Sequence, residues 1–335
     1  MVDTDRRSPT STGPPVGTTH VLLPITGGGR PNHTTQRPDL SGRNHMTHEP
    51  HDETPARFEN GYALPDLDGR VAVITGGASG IGKAIAQRFA AAGMRVVISD
   101  LDGAALAATA AELGVDSFAA DVTDPEQVQR LADDVVARHG KIDVAVNNAG
   151  VGPTARIRDL TLDDWRWMID VNLFGVIHGI CSFLPVLTSN PHGGYIVNTA
   201  SMAGLTAIPG VDMAAYTAAK MGVVGITEIL AAELAADGAS VGASVLCPGP
   251  VLSHINSGLR SRPADQQGAL TETDPLTEAE GPLADLEWKD PLEAGTLVID
   301  GIRSGRLHLI THPELWWAVG DRFAAIERAF DITAR

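Results

Sequence analysis

The chain has 335 residues, of which 41 are acidic and 25 basic, so its formal net charge is −16. A surface this acidic repels a polyphosphate backbone, which argues against a nucleic-acid partner. No stretch reaches the roughly 18 apolar residues that a membrane span needs, so we expect no membrane segment. The two cysteines, Cys181 and Cys247, are expected to be buried reduced thiols of a cytoplasmic protein and not a disulfide.

Residues 1–60 differ in composition from the rest, since they hold eight of the 21 prolines and five of the 11 histidines. Such a segment buries too little apolar surface to offset the entropy of ordering, so we expect residues 1–62 to be a disordered tail. The composition shift also suggests Met46 as the biological start. The histidines have no fixed ligand spacing, which favours a solvated tail over a metal site; they are His20, His33, His45, His48 and His51.

A glycine-rich turn follows the first apolar run. Residues 71–74 read as a buried parallel strand, and residues 83–90 have helical periodicity and strong helix formers. Between them, Thr75 to Gly82 contains glycines at positions where a side chain would block a tight turn and the close approach of a pyrophosphate. An ordinary strand-to-helix turn needs fewer glycines. The pattern therefore predicts a phosphate-binding helix N-terminus.

The second strand, 95–99, ends at Asp100. A carboxylate there accepts hydrogen bonds from the ribose hydroxyls of an adenosine and repels a 2′-phosphate. No arginine or lysine follows at once. The sequence therefore predicts NAD as cofactor in preference to NADP, with a solvated strand-end aspartate as the alternative.

Strand and helix patterns alternate to the end of the chain, which predicts one doubly wound Rossmann-like α/β domain with a parallel sheet over residues 63–335. The cofactor should cross the carboxyl ends of the strands beside the glycine turn. The predicted strands are 71–75, 95–99, 116–119, 142–146, 194–199, 240–246 and 306–310. The predicted helices are 80–92, 103–113, 125–139, 161–184, 214–237, 291–303 and about 313–330.

Tyr216 and Lys220 lie four residues apart on a predicted helix, so the phenol and the ammonium project from the same face. An adjacent cation favours the phenolate, and we expect it to lower the tyrosine pKa toward a range useful for proton transfer. Ser201 lies fifteen residues upstream and could hydrogen-bond the same substrate oxygen. Alone, such a pair is usually a surface contact; the glycine turn before it favours chemistry.

From about residue 67 to about residue 311, these motifs in this order resemble the short-chain dehydrogenases/reductases in their single-domain form. The resemblance implies that Ser201, Tyr216, Lys220 and Asn172 are catalytic, with Asn172 positioning a water beside the lysine. It implies an adenine contact from Asp121 and a nicotinamide carboxamide contact from segment 248–253. The full implied cofactor set is Gly76, Ser79, Gly80, Ile81, Gly82, Asp100, Leu101, Asp121, Val122, Asn148, Ala149, Gly150, Tyr216, Lys220, Pro248, Gly249, Val251 and Ser253.

The chain departs from the family pattern at two places. Ser253 stands where the family usually has threonine, so the hydroxyl contact is expected to survive. The separation between Ser201 and Tyr216 is about two residues longer than is common, and we expect segment 207–213 to bow outward and leave both side chains in place.

Two regions remain for substrate and assembly. The resemblance implies a mobile lid at residues 254–290, with a solvated insertion as the alternative. The Trp316–Trp317 pair is typical of packing or a subunit contact, and the resemblance implies a dimer or tetramer through the helices 161–184 and 214–237. Apolar side chains beside the catalytic helix favour a hydrophobic or cyclic substrate: Leu205, Ile208, Val211 and Met213.

The sequence therefore predicts a cytoplasmic, homo-oligomeric, NAD-dependent oxidoreductase that interconverts a secondary alcohol and a ketone, with Tyr216 as general acid and base and no metal. A non-catalytic NAD-binding regulatory or scaffold protein on the same fold is the alternative from another class. The complete set of serine, tyrosine, lysine and asparagine argues against it. Non-redox chemistry such as epimerisation is disfavoured by the glycine spacing.

Overall fold

The computed structural model describes residues 61–207, 212–272 and 286–332, all of which belong to one compact unit, Thr54–Arg335. The expectations for residues 1–60, for positions 208–211 of the outward bow at 207–213 and for positions 273–285 of the lid at 254–290 lie outside these described residues.

Seven parallel strands form one sheet, as predicted. Its strands are β1 (Val71–Thr75), β2 (Arg95–Asp100), β3 (Asp116–Ala119), β4 (Val144–Asn147), β5 (Gly194–Thr199), β6 (Val241–Cys247) and β7 (His308–Ile310). Their order across the sheet is β3-β2-β1-β4-β5-β6-β7. The chain leaves β1 toward β2 and returns on the other side at β4, so a crevice opens between the ends of these strands.

Helices cover both faces of the sheet, because parallel strands linked by right-handed crossovers are buried on both sides. They are α1 (Gly80–Ala91), α2 (Gly103–Leu113), α3 (Pro125–His139), α4 (Leu162–Ile169), α5 (Gly175–Ser189), α6 (Ala214–Ala236), α7 (Pro291–Ser304) and α8 (Trp316–Ile332). One core packs α3, α4, α5 and α6 against the sheet. The other packs α1, α2 and α7 against the opposite face.

The helix predicted over 161–184 is not regular. A π-helical turn, Asp170–Phe174, joins α4 to α5, and the backbone N–H of Gly175 donates to the carbonyl of Asp170. Extra residues of this kind inside a helix are frequent at functional sites. The turn places Asn172 in the interior, and the consequence for the site is described below.

Two expectations are wrong. Segment Leu162–Ser189 is long and apolar enough to cross a membrane by length and composition, although Phe183 and Leu187 from it lie in the core. Both cysteines are free, but Cys181 is exposed and only Cys247 is buried. Cys181 lies on a face of α5 that the sheet does not cover, which sequence periodicity did not indicate.

Candidate active site

A crevice of about 550 Å³ runs along the carboxyl ends of the strands. Every site residue predicted from the sequence lines it except Gly82 and Asn172. The crevice extends from the loops after β2 and β3, across the glycine turn, to the first turns of α6.

Gly76 and Gly80 of the glycine turn form part of the floor of the crevice. Gly76 and Gly80 have φ values of +66° and +51°, a region that other residues rarely adopt. A Cβ on Gly76 would lie 2.8 Å from the Cα of Ala149, so the turn packs directly on the end of β4. Gly82 lies behind the crevice, where a Cβ would collide with the carbonyl of Gly76. Glycine is therefore required at position 82 because α1 packs closely on the turn.

Hydrogen bonds from the side chain of Asn148 connect the ends of three strands. Its side-chain nitrogen donates to the carbonyls of Thr75 at 3.1 Å and Gly76 at 3.3 Å. Its oxygen accepts from the hydroxyl of Thr199 at 3.3 Å. The amide therefore holds the ends of β1, β4 and β5 in a fixed arrangement beneath the crevice, while Ala149 and Gly150 form its wall.

Three acidic residues line the end of the crevice nearest α2, namely Asp100, Asp102 and Asp121. The Asp100 carboxylate accepts from the backbone N–H groups of Ala78 at 3.2 Å and Asp102 at 3.1 Å. Asp121 accepts from the backbone and hydroxyl of Thr123 at 2.9 and 2.8 Å. Leu101 is exposed and Val122 is buried at this end. The carboxylates give the end a negative charge while remaining anchored to the backbone.

The other wall is segment 248–253. Met202 donates its backbone N–H to the carbonyl of Pro248 at 2.8 Å, and Gly249 donates to the hydroxyl of Thr311 at 3.0 Å. Ser253 reaches the glycine turn, since a Cβ on Gly80 would lie 3.0 Å from the Cβ of Ser253. Segment 248–253, which follows β6, therefore contacts the glycine turn, which follows β1, and both form walls of the crevice.

Tyr216, Lys220 and Ser201 meet at the centre of the crevice. Lys220 is 1% exposed, and its Nζ donates to the carbonyl of Thr199 at 2.9 Å and lies 5.6 Å from the centroid of the Tyr216 ring. The Ser201 hydroxyl interacts with the Tyr216 phenol and lowers its pKa, donates to the carbonyl of Pro248 at 3.4 Å and accepts from the backbone N–H of Ala203 at 3.1 Å. The longer sequence separation thus leaves Ser201 and Tyr216 in contact.

The expected effect of Lys220 on the tyrosine is wrong in this structure. Burial raises the pKa of Tyr216 to about 12, against a smaller lowering by the Ser201 hydrogen bond. Burial also lowers the pKa of Lys220 to about 8. Desolvation disfavours the phenolate and the ammonium alike, so it shifts both pKa values toward the neutral forms, although an amine with a pKa of about 8 still carries its proton at pH 7. The amine of Lys220 lies beside the Tyr216 ring and donates to the carbonyl of Thr199. Burial is the main cause of the raised pKa of the Tyr216 phenol.

Asn172 does not face the crevice. Its amide nitrogen donates to the carbonyls of Val151 and Met168, each at 3.0 Å, and its oxygen accepts from the backbone N–H of Val151 at 3.2 Å. A Cβ on Gly150 would lie 2.9 Å from that oxygen and 3.5 Å from the Nζ of Lys220. The side chain thus fixes the wall behind Lys220, and its predicted water contact stays a prediction.

Sequence reasoning missed the residues that fasten the predicted lid. Segment 255–261 is a short 3-10 helix. Asp164, fully buried, accepts from Arg262 at 2.7 Å and from the backbone N–H of Ala269 at 2.9 Å. The Arg262 guanidinium lies 5.6 Å from the centroid of Trp167, which lines the crevice. The capping-box spacing from Thr161 to Asp164 was a readable signal for the start of α4; nothing in the sequence pointed to Arg262.

A buried histidine supports segment 248–253 from behind. The Nδ1 of His312 lies 2.7 Å from the hydroxyl of Thr311, and its Nε2 lies 3.1 Å from the carbonyl of Glu287. A Cβ on Gly249 would lie 2.6 Å from the same Nδ1. The His-Pro pair after β7 was the sequence signal available for this position.

The space beside Tyr216 has an apolar wall. It is lined by Val151, Trp167, Val171, Met213 and Ile255. Of the residues expected there, Met213 is in place. Leu205 packs instead against the small core formed between α6 and β6, and Ile208 and Val211 lie outside the described residues.

Comparison with known proteins identifies the family. The model of the family described as short chain dehydrogenase matches residues 70–264, more than half of the chain. The chain is 41% identical over 194 residues to a D-threitol dehydrogenase of Mycolicibacterium smegmatis, covering 56% of this chain and 73% of that protein. It is 36% identical over 269 residues to a 1-deoxy-11-beta-hydroxypentalenate dehydrogenase of Streptomyces avermitilis, covering 78% and 92%.

A solved structure agrees with these relatives. The short chain dehydrogenase/reductase from Burkholderia phymatum, solved in complex with NAD, superposes with a TM-score of 0.72 at 34% identity. The match covers 79% of this chain and 97% of that one. With this fold, these relatives and a family model that matches most of the sheet, the chain belongs to the short-chain dehydrogenase/reductase family of oxidoreductases.

Proposed function

We propose that this protein is an NAD(H)-dependent oxidoreductase that interconverts a secondary alcohol and a ketone, with Tyr216 as general acid and base. One observation carries the proposal: the phenol of Tyr216, the hydroxyl of Ser201 and the amine of Lys220 converge in the crevice that starts at the glycine turn. A non-catalytic binding protein has no need of this convergence.

The crevice fits a dinucleotide. Its floor at Gly76 has no room for a Cβ, and the N-terminus of α1 faces it, which suits a pyrophosphate. Of the side chains that the structure describes along the crevice, the cationic ones are Lys220 and Arg260, and neither belongs to the loops after β2 and β3. Asp100 therefore faces an adenosine ribose without a cation beside it, which favours NAD over NADP. The nicotinamide supplies or accepts the hydride.

The chain's own residues hold the substrate and move the proton. With a pKa of about 12, the phenol of Tyr216 carries its proton at neutral pH and can donate it to a substrate oxygen. Ser201 donates a second hydrogen bond to that oxygen, so the two side chains fix its position. In the direction of alcohol oxidation Tyr216 must first release its proton, so the rate in that direction rises with pH.

A hydrophobic or cyclic alcohol suits the wall formed by Val151, Trp167, Val171, Met213 and Ile255, because apolar contact area supplies the binding free energy there. The similarity to the hydroxypentalenate dehydrogenase covers 78% of the chain, against 56% for the threitol dehydrogenase, and it supports the same choice.

The test is hydride transfer followed at 340 nm with NAD and a panel of cyclic and aromatic secondary alcohols. Wild-type protein should turn over at least one of them. Tyr216→Phe should bind NADH with unchanged affinity and lose nearly all turnover, since it removes only the phenolic oxygen. Substantial turnover by Tyr216→Phe would refute the assigned role, and NADH binding without turnover of any alcohol or ketone by the wild type would favour the regulatory alternative.

The remaining expectations extend the same proposal. We infer that residues 63–335 form the catalytic domain and residues 1–62 a tail, that segment 254–290 closes over the substrate, and that the protein is a cytoplasmic homo-oligomer. The described part of segment 254–290 supports its role as a substrate cover, because the 3-10 helix 255–261 packs over Val151 and Pro153.

A further inference from the structure

We propose that the substrate is a cyclic or otherwise apolar hydroxy acid, or the matching keto acid, whose carboxylate binds the guanidinium of Arg260. This choice rests on the proposed function and narrows the substrate class of the same site. Arg260 lies on the 3-10 helix 255–261 and lines the crevice. The carboxylate is a second recognised group, separate from the alcohol or ketone that meets Tyr216.

The charged side chains of the crevice are divided between its two ends. In the described part of the chain, the acidic residues that line it all belong to the end nearest α2: Asp100, Asp102 and Asp121. The lysine and arginine residues that line it are Lys220 and Arg260. Lys220 is buried, and its Nζ donates to a backbone carbonyl. Arg260 is therefore the cation left for a substrate group that lies away from the reacting carbon.

The guanidinium of Arg260 has hydrogen-bond donors available for a ligand. The side chain is exposed, and its Nη1 donates to the carbonyl of Ser257 at 2.7 Å, which holds the group against its own helix. Among the residues that the structure describes, Arg260 takes part in no ion pair. A guanidinium presents its N–H donors in a rigid planar fork, which matches the two oxygens of a carboxylate.

The neighbours of Arg260 in sequence place it beside the apolar wall. A Cβ on Gly258 would lie 2.8 Å from the Cβ of Val151, which belongs to that wall. On the other side, Arg262 donates to the buried carboxylate of Asp164 at 2.7 Å. Arg260 therefore lies on a segment that is held on both sides next to the substrate space, and not on the loops after β2 and β3.

An apolar wall with a cation beside it selects a molecule with the same division of chemistry. The ring of a cyclic hydroxy acid would lie along the wall, with its hydroxyl at Tyr216 and its carboxylate at Arg260. Hydrogen bonds between a guanidinium and a carboxylate are stronger than those between neutral groups, so the acid should bind more tightly than a neutral alcohol of the same shape. Because the carboxylate takes no part in hydride transfer, its contact should lower KM more than it changes kcat.

A comparison of acids with their esters tests the proposal, in the 340 nm assay with NAD and the full chain. The probes are hydroxycyclohexanecarboxylates and hydroxyindanecarboxylates, each measured beside its methyl ester, which has a similar shape and no charge. For the wild type, kcat/KM should be about ten-fold higher for the acid than for the ester in at least one pair, which is the effect of one charge-assisted contact of about 1.4 kcal/mol.

Substitution of Arg260 separates its contact from the net charge of the protein. Arg260→Met should raise KM for the acid with a smaller change in kcat and bring the acid-to-ester ratio of kcat/KM close to one. Arg260→Lys keeps the charge without the fork and should retain part of the preference. Arg303→Met is the matched control, because Arg303 is exposed on α7 and does not line the crevice. Circular dichroism of each variant shows that the fold is retained.

Turnover of esters or other neutral alcohols without a preference for any acid overturns the carboxylate contact and leaves the proposed function intact. An acid-to-ester ratio that Arg260→Met leaves unchanged, or that Arg303→Met lowers equally, overturns it as well. If Arg260→Met raises KM for NAD while the ratio stays the same, the guanidinium belongs to the cofactor site. Absence of turnover of every acid, ester and neutral alcohol refutes the proposed function, and the substrate class falls with it.

Discussion

Replacing Lys220 with methionine should flatten the pH dependence of stability. The lysine is 1% exposed, and burial lowers its pKa from 10.5 to about 8, which corresponds to about 3 kcal/mol against its charged form. The unfolded chain keeps the proton up to about pH 10.5 and the folded chain releases it near pH 8. The free energy of unfolding therefore rises with pH across this window and falls as the pH drops through it.

Between pH 7 and pH 9.5 this single group should add about 2 kcal/mol to the wild-type free energy of unfolding. Lys220→Met removes this titration. The free energy of unfolding of the wild type minus that of the variant should therefore increase by that amount between pH 7 and pH 9.5. The lost hydrogen bond to the carbonyl of Thr199 has a cost of about 1–3 kcal/mol, but that cost is the same at every pH. The slope is therefore the diagnostic quantity.

The assay is urea unfolding followed by circular dichroism at half-unit intervals from pH 7 to pH 9.5. Burial also raises the pKa values of Tyr216 and Cys247, but both groups remain in the variant and cancel in the difference. Lys83→Met, which removes an ammonium from a surface ion pair with Glu112, is the matched control. Parallel pH profiles for wild type and Lys220→Met would refute the assignment of a desolvated ammonium.

Three further outcomes are expected. Asp100→Ala removes the carboxylate that repels a 2′-phosphate, so the ratio of kcat/KM for NADP to that for NAD should rise; an unchanged ratio would contradict the assigned role. Asp164→Asn leaves Arg262 buried without its counter-charge and should lower the free energy of unfolding by about 3–5 kcal/mol, whereas Asp163→Asn, in an exposed pair, should cost under about 1 kcal/mol; urea titration compares them. His312→Asn removes the ring behind Gly249 and should raise the KM for NADH while turnover at saturation changes less; an unaltered KM would show that the ring only fills space.

The sheet was predictable because each strand is an apolar run with a turn signal after it. All seven strands lie within two residues of their predicted bounds, and their parallel order follows from the alternation with helices. The π-helical turn at Asp170–Phe174 was not predictable, because the bonds of Asn172 to Val151 join residues 21 apart. Helical periodicity contains no information on such contacts.

The crevice was predictable to a similar degree. Some site residues could be predicted individually from the sequence, because their role requires one residue type. Gly76 and Asp100 are examples. The pKa of Tyr216 could not be predicted, since the sequence shows which cation lies beside the phenol but not how deeply both are buried. The contact between Asp164 and Arg262 spans 98 residues, and neither residue belongs to a motif.

The carboxylate of Asp164 has two structural roles, because it caps the start of α4 and binds the segment that forms part of the crevice wall. Exchange of residues 255–272 for the corresponding segment of another enzyme would therefore change the stability of the protein as well as its specificity. A graft without a basic residue at position 262 would leave an acid isolated in the interior, and the recipient would lose stability before its new selectivity could be measured. Engineering of this enzyme is better begun at Met213 and Ile255, which face the crevice and do not take part in that pair.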